Sequence, residues 1–494
     1  MTITTEFAAG MFGSQRHSAD LRSLSSTLAD LNRQLATGRR AETLGGLSAG
    51  RSAVLTMRAD LARLDGHDAA AQRGVVRIGM MTGVLDHIGG IARDARATAM
   101  NAGMTAESQR GAIAAARANL DGVISQLNTD FDGQFLFSGR AANTEPVANV
   151  STILDGAIGA DGLRTLIAER RAADAGSGLG RLTLGVAAST VSLSEEAAGL
   201  PFGFKLSGAS AGGGLSLTGP AGTPAGVAIT ATGVAAGDSF SLTLTLPDGT
   251  REAVTLAARA AGTTGGANSF AVGADDAATA ANLSAALDGV LREKVGSVLA
   301  GASASVAAED FFAGTASAPA RRIAGPPFES ATGFAAAGSR PTVQWYFGED
   351  SAGDPRQSQL LGIDKGVTLG VGARANEAPV RKVLAGLAMV AAEAGGSNAV
   401  RQNATLERSR GLLAQDGNGT ISSVSTDLAQ AGASMEAVSK RHGAHANLIH
   451  GLLADIEQPS LEELSASILS LQTRLQASYQ VTASLSRLSL AEYL

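Results

Sequence analysis

The sequence predicts an α+β protein. A long α-helical hairpin, a coiled-coil rod, is built from both termini, and β-rich domains are inserted in the middle. Three observations carry this reading. Leu461, Leu464, Ile468, Leu471 and Leu475 keep a 3-4-3-4 spacing, which puts them on one stripe of a helix. Leu21, Leu24, Leu28, Leu31 and Leu35 repeat that spacing near the other end of the chain. Between them, Ser239 to Leu246 alternates apolar and hydroxyl side chains with the period of a strand. A narrow apolar stripe cannot bury itself alone, so the two terminal stripes are expected to meet each other or the same stripes on neighbouring molecules.

Taken in order, the first helix should stop at Gly38, a residue suited to a helix C-terminus. A loop is expected over Ala41 to Gly50, where Gly45, Gly46 and Gly50 cluster. Helical sequence resumes by Arg51 and runs, with interruptions, to about Asn128, with Ile78, Met81, Leu85 and Ile88 in heptad spacing. Gly103 and Thr105 mark a break with a fresh N-cap, and Ile113, Leu120, Ile124 and Leu127 then share one face. Helices over this region would add up to about 110 Å, which fits a rod better than a compact globule. In the middle, Phe240, Leu242, Leu244 and Leu246 point one way. Pro247-Asp248-Gly249 is a turn signal, and Ala253, Val254 and Leu256 form the return strand. Further strands are expected at Val227 to Thr232, Phe270 to Val272 and Val367 to Val371. A helix over about Asp276 to Gly296 carries Leu283, Leu287, Val290 and Leu291. Gly208 to Gly214 and Ala261 to Gly266 read as glycine-rich connections. Towards the C-terminus one seam takes in Ile421, Val424, Leu428, Ala431, Met435, Val438, His442, His445, Ile449, Leu452 and Ile456. Pro459, Ser460 and Glu463 then mark the start of the last helix, with a capping box.

The division that follows has residues 1–50 pairing with 457–494 as a terminal core. Residues 51–147 and 381–456 form a helical rod. Residues 148–200 and 341–380 form a β-rich or irregular part of an outer domain, and 201–340 an inserted β-rich domain with one helix.

Composition narrows the function classes. Aromatics are 4% and Gly reaches 62, so the apolar content is mostly small and aliphatic. A net charge of -6 without a Lys/Arg tract gives no support to nucleic-acid binding. Cys is absent, which excludes disulfides and thiolate metal sites. The opening Met1-Thr2-Ile3-Thr4-Thr5-Glu6 lacks a basic region followed by an apolar run, so a Sec-type signal is not read there. A run of about 18 apolar residues is not read either, and so no membrane span is expected.

Candidates for chemistry fall away one by one. His442, His445 and His450 lie close together, but no carboxylate stands as in H-E-x-x-H, and seam residues setting helix register are the favoured reading. Gly176, Gly178 and Gly180 form a G-x-G-x-G string without the Lys and Ser/Thr of a phosphate loop, and read as a flexible loop. Asp275-Asp276 and Glu462-Glu463 sit at helix starts, where the helix dipole accounts for them. Glu309-Asp310 reads as a solvated pair in a loop. Catalytic residues, cofactor and metal ligands are therefore not assigned, and the protein is not expected to be an enzyme. What remains is assembly.

Four segments follow patterns of one known family. Leu127-Asn128-Thr129-Asp130-Phe131-Asp132-Gly133-Gln134-Phe135-Leu136-Phe137-Ser138-Gly139, with Thr144 and Pro146 beyond, is similar to L-N-T-x-x-x-G-x-Y-L-F-S-G followed by T-x-P; Phe135 replaces the usual Tyr. Gly443-Ala444-His445-Ala446-Asn447 resembles G-A-x-x-N. Trp345-Tyr346-Phe347-Gly348-Glu349-Asp350 resembles Y-x-G-(D/E). Leu488-Ser489-Leu490-Ala491-Glu492-Tyr493-Leu494 resembles L-S-L-x-x-Y-L. The rod-hairpin plan resembles the bacterial flagellin superfamily, and these segments resemble one branch of it, the hook-filament junction proteins (the third hook-associated protein). After the first helix, Gly38 to Gly46 matches only the opening of the R-I-N-S-A-K-D-D-A-A-G segment of true flagellins, and 201–340 is not covered by the resemblance.

The resemblance implies export through the flagellar channel without a cleaved signal and an extracellular place in the flagellum. It implies a ring of subunits between another hook-associated protein and the flagellin filament, and a cytoplasmic export chaperone over the C-terminal stripe. The assembly interface would comprise Leu21, Leu24, Leu28, Leu31, Leu35, Leu461, Leu464, Ile468, Leu471, Leu475, Leu488, Leu490, Tyr493 and Leu494, with the termini unordered before assembly. The alternatives are a divergent flagellin that builds the filament itself and, further off, a secreted adhesin or surface enzyme working through 201–340.

Overall fold

The computed structural model describes residues 3–491 apart from 104, 264, 394–397 and 416–418; of 3–14, 49 and 485–491 it describes the backbone alone. The fold is α+β, with long helices at both ends and a β-rich middle. The chain divides into two compact units. The first takes in residues 1–73, 362–367 and 434–494, and the second 74–361 and 368–433.

The first unit begins with α1 (Ile3–Thr37), which ends where Gly38 adopts φ +64°. The expected loop over Ala41 to Gly50 contains a 3-10 turn, Leu44–Gly50. The opening part of α2 (Arg51–Asn101) and the closing part of α10 (Ile421–Glu457) follow. They enclose Val54, Leu61, Leu64, Ile449 and Leu453, with Leu44, Leu47, Ala446 and Ile456 packed alongside. The last helix, α11 (Leu461–Ala491), starts after Pro459, with the Glu463 N–H donating to Ser460 Oγ at 3.4 Å.

The α10 seam departs from the expected one. His445 and Leu452 are exposed, while Ala446 and Leu453 take their places inward. From Met435 the inward positions run Val438, His442, Ala446, Ile449 and Leu453, so a four-residue step is inserted after His442. A straight helix drifts against a strict heptad, and such an insertion resets it.

In the second unit α2 and α10 continue antiparallel: Gly89 lies beside Ile421, the Ser425 hydroxyl meets Asp86 at 3.1 Å, and Gly432 lies against Ile78. Helix α2 contains an 18-residue window apolar enough to cross a membrane by length and composition, which the sequence reading did not count. In the structure the apolar side chains Ile78, Met81, Leu85 and Ile88 of α2 are buried. Helix α3 (Ala106–Leu127) begins at the expected cap, Thr105, whose side chain accepts from the Ser108 N–H at 3.2 Å. The hairpin β1 (Asp130–Phe131) and β2 (Gln134–Phe135) turns through Asp132 and Gly133, both at positive φ.

The segment expected to be β-rich or irregular over 148–200 is partly helical, with α4 (Val150–Asp155) and α5 (Leu163–Ala175) flanking the short β3 (Gly156–Ala157) and β4 (Ala160–Asp161). Two four-stranded sheets follow. One is ordered β5 (Leu182–Ala187), β6 (Thr190–Glu195), β9 (Gly226–Ala231), β8 (Leu215–Ala221); the other β12 (Ser269–Ala271), β11 (Arg251–Arg259), β10 (Ser239–Thr245), β7 (Lys205–Ala211). Leu242 pairs with Val254, and Phe240, Leu242, Leu244 and Leu246 are all buried, as the alternation predicts. Helix α6 (Asp276–Lys294) lays Leu283, Leu287, Val290 and Leu291 on that core. Each buried side chain contributes about 1.5 to 3 kcal/mol.

Four expectations are corrected here. Residues 208–211 belong to strand β7, because the ladder to β10 runs through backbone groups that glycine, alanine and serine also carry. The region 201–340 has two α-helices: a π turn, Val295–Leu299, carries α6 into α7 (Ala300–Ala313). Glu309 and Asp310 therefore lie on a helix, and burial raises the Glu309 carboxyl above its ordinary value against the Ser305 bond. Nor is the Gly176–Gly180 string a slack loop. All three glycines have positive φ, and a Cβ on Gly180 would stand 2.3 Å from the Phe204 ring.

After α7 come the hairpin β13 (Leu360–Asp364) and β14 (Val367–Gly370), then α8 (Ala378–Ala391) and α9 (Ala399–Leu412), before α10. Helix α5 is tied in by buried charge. Arg170 and Asp174 pair at 2.8 Å, and Asp174 also accepts from the Gly203 N–H and the Ser303 hydroxyl.

Candidate assembly surface

Helices α1 and α11 pack against each other. His17 Nε2 lies 2.9 Å from Thr482 Oγ1 and 3.3 Å from Ser478 Oγ, while the Arg40 N–H donates to the Glu457 carbonyl at the other end. The helices are therefore antiparallel. Leu464, Ile468 and Leu475 are buried and Leu471 half-buried, and on α1 Leu21, Leu24, Leu28 and Leu31 are half-buried. The stripes thus cover each other only in part. Leu35 and Leu461, at one end of the pair, stay exposed. Leu488 and Leu490 have side chains outside the described residues, and Tyr493 and Leu494 lie outside them altogether.

The pair shows more apolar surface than the sequence stripe contains. Leu469 is 65% exposed, and Tyr479 and Val481 are more than half exposed. They sit off the 3-4 seam of α11, where a search for one buried face passes over them. Large apolar side chains at off-seam positions of a long helix are the signal that finds them. A helix apolar beyond one stripe is suited to more than one neighbour.

Two of the quoted sequence segments meet inside the second unit. Asn128, at the end of α3, donates to Glu145 Oε1 (2.7 Å) and the Val147 carbonyl (2.9 Å) and accepts the Val147 N–H (3.0 Å). Leu136, Phe137 and Ser138 are buried. The Glu349 N–H donates to the Ser138 carbonyl, and the Tyr346 hydroxyl to the Phe137 carbonyl. The Trp345 ring stands edge-on to Phe312, with centroids 5.1 Å apart. Glu349 sits below its ordinary value: burial pushes its carboxyl up, but the Ser351 hydroxyl, the Arg140 N–H and the charges of Arg374 and Arg140 outweigh it. These residues support the fold of the unit and do not converge on an open site.

One concavity of the second unit, about 410 Å³, is lined by Phe311, Arg321, Arg322, Arg340, Thr342 and Trp345 among others. Its arginines are engaged. Arg322 pairs with Glu169 at 2.5 Å and Asp161 at 2.8 Å, Arg340 also pairs with Glu169, and Arg321 stacks over Phe334. No histidine or carboxylate is among the lining residues to activate the Thr315 or Thr342 hydroxyl. Among the described residues, no group of three or more His, Asp or Glu is placed to hold a metal ion. Of the histidines, His442 is buried and His445 and His450 are exposed.

The helices and first hairpin described above coincide with a known family region. Residues 8–142 match the bacterial flagellin N-terminal helical region. That part of the chain is flagellin-like. The matched region runs from α1 through α2 and α3 to just beyond β2, and it supports a place in the flagellin superfamily. No curated protein matches the chain.

Proposed function

We propose that this protein is a structural subunit of the bacterial flagellum that forms the junction between hook-associated proteins and the flagellin filament. The observation that carries the reading is the terminal helix pair: it belongs in part to a flagellin-like region and leaves Leu35, Leu461, Leu469, Tyr479 and Val481 exposed. Isolated helices with one-sided apolar faces are marginal, and the same faces become buried against neighbouring subunits. Folding of the termini is then coupled to incorporation, which restrains polymerisation before export. Leu21, Leu24, Leu28, Leu31, Leu35, Leu461, Leu464, Ile468, Leu471, Leu475, Leu488, Leu490, Tyr493 and Leu494 form the proposed interface. A ring of copies, another hook-associated protein and flagellin are its partners outside the cell. An export chaperone covers the C-terminal stripe inside it, and the protein acts without catalysis.

The junction reading is supported by the segment Gly38 to Gly46, which keeps only the opening of the flagellin pattern at this place. The family match itself favours a second reading, a divergent flagellin that builds the filament. Negative-stain microscopy of the purified protein separates the two. The junction reading expects short assemblies that add to hook or filament ends, and long self-seeded filaments would overturn it.

A further inference from the structure

The residues that line the 410 Å³ concavity of the second unit fall in two stretches, 311–322 and 335–345. Its volume is that of a small-molecule site. Much of the wall is apolar and compact, with Pro319, Ala320, Ala335, Pro341 and Val343. Its charged side chains are all arginines, and these three differ. Arg322 and Arg340 share Glu169, and Arg322 also holds Asp161, so two cations meet two carboxylates. Arg321 is held more loosely. Its side chain is 64% exposed, and Nη2 stands 3.9 Å from Asp310 Oδ2, beyond hydrogen-bond reach. The guanidinium lies over the Phe334 ring, 4.2 Å from the centroid. That contact orients the group through its face and leaves its N–H edge to other partners. Two more polar atoms of lining residues, Thr342 Oγ1 and Trp345 Nε1, are buried without a hydrogen-bond partner. An indole N–H can only donate, and a buried one ordinarily has an acceptor.

We propose that this concavity binds a small organic carboxylate, with the carboxylate on the N–H edge of Arg321 and a compact apolar body against the alanine, proline and valine wall. A planar guanidinium takes a carboxylate through two parallel hydrogen bonds, which an already oriented group does at little cost. No acid lines the wall to repel the anion. Asp310, outside the lining, is the one competitor paired with Arg321, and an exposed pair at 3.9 Å is weak. A ligand rich in acceptor oxygens also offers what the Trp345 N–H and the Thr342 hydroxyl lack. A bare inorganic anion would use Arg321 and leave the apolar wall unused. None of these residues belongs to the terminal helices, so the site stands independently of the assembly reading.

Trp345 is the one tryptophan of the chain and a lining residue, so its emission reads occupancy. Benzoate serves as the probe, benzamide as its neutral counterpart of the same shape, and inorganic phosphate as the bare anion. Titrated into the full chain, benzoate should change Trp345 emission saturably, with a Kd of about 1 mM or tighter. Benzamide should bind roughly tenfold more weakly or worse. Saturation-transfer NMR of the same ligands reads binding without relying on the tryptophan. Arg321→Gln should lower benzoate to the level of benzamide and leave benzamide unchanged. Asp310→Asn removes the competing carboxylate and should tighten benzoate about twofold or more, a gain that misfolding cannot imitate. Four results would each overturn the proposal. They are no saturable benzoate signal by either method, equal binding of benzoate and benzamide, benzoate binding unaltered in Arg321→Gln, and phosphate competing as well as benzoate does.

Discussion

Aspartate at both Leu464 and Leu471 strikes the terminal helix pair where the stripe is deepest. Leu464 is 4% exposed and Leu471 half-buried against α1. Full burial of a leucine contributes about 1.5 to 3 kcal/mol, so the two together account for on the order of 3 to 5 kcal/mol, before the added cost of seating charge in an apolar seam. Long helices that are marginal alone have no reserve to absorb such a loss. The expected outcome is loss of incorporation at hook or filament ends, followed by co-sedimentation with purified hook-basal bodies. The chain supplies its own control. Its one tryptophan, Trp345, is buried beside Phe312 and Tyr346 in the second unit, and its fluorescence reports that unit alone. Incorporation at the normal level by the double variant would refute the reasoning. So would a shift in Trp345 emission, which would mean that the damage is not confined to the termini.

Other outcomes follow from single contacts. Gly180→Ala forces a side chain at φ +67° into the Phe204 ring and should destabilise the second unit by about 2 to 4 kcal/mol, read as a lower Tm by Trp345 fluorescence. Asn128→Ala removes three hydrogen bonds that fasten the end of α3 to Glu145 and Val147, at a cost of about 1 to 3 kcal/mol in urea unfolding. Asp364 has a folded-state pKa of about 2, held down first by the Lys365 N–H and then by Arg441. Its contribution is therefore present above the unfolded value near 3.9 and lost as pH falls through about 2. Protection of the 362–367 amides should decline over that acid window, and Asp364→Asn should abolish the decline.

Much of the fold was legible because its strongest signals are local and periodic. Heptad leucines, the Thr105 cap, the Gly38 stop and the Pro247-Asp248-Gly249 turn each act within a few residues, and each appears where its chemistry places it. The failures have physical causes. Helix α5 hides its core position behind Glu169, Arg170 and Asp174, charged residues that only tertiary pairing makes compatible with burial. Helix α7 is mostly alanine, serine and glycine in its first half, and its buried face shows no apolar contrast to read. Strand β7 carries glycine and serine, which pair through backbone and leave little side-chain pattern. In α10 the heptad was extended past His442, where a buried polar layer, including the hairpin tip, changes the register. On the terminal helix pair proposed as the assembly surface, the burial of Leu464, Ile468 and Leu475 is readable from spacing. The exposure of Leu469, Tyr479 and Val481 is not, because exposed apolar residues follow no period set by a core.

The central claim concerns where the protein stands in the assembled flagellum. An epitope or cysteine introduced at an exposed position of the inserted region, such as Thr250 in the β10–β11 turn, can be labelled with gold on intact cells and viewed by electron microscopy. The account predicts one cluster of label per flagellum, at the base of the filament where it leaves the hook. Label distributed along the filament length would contradict it.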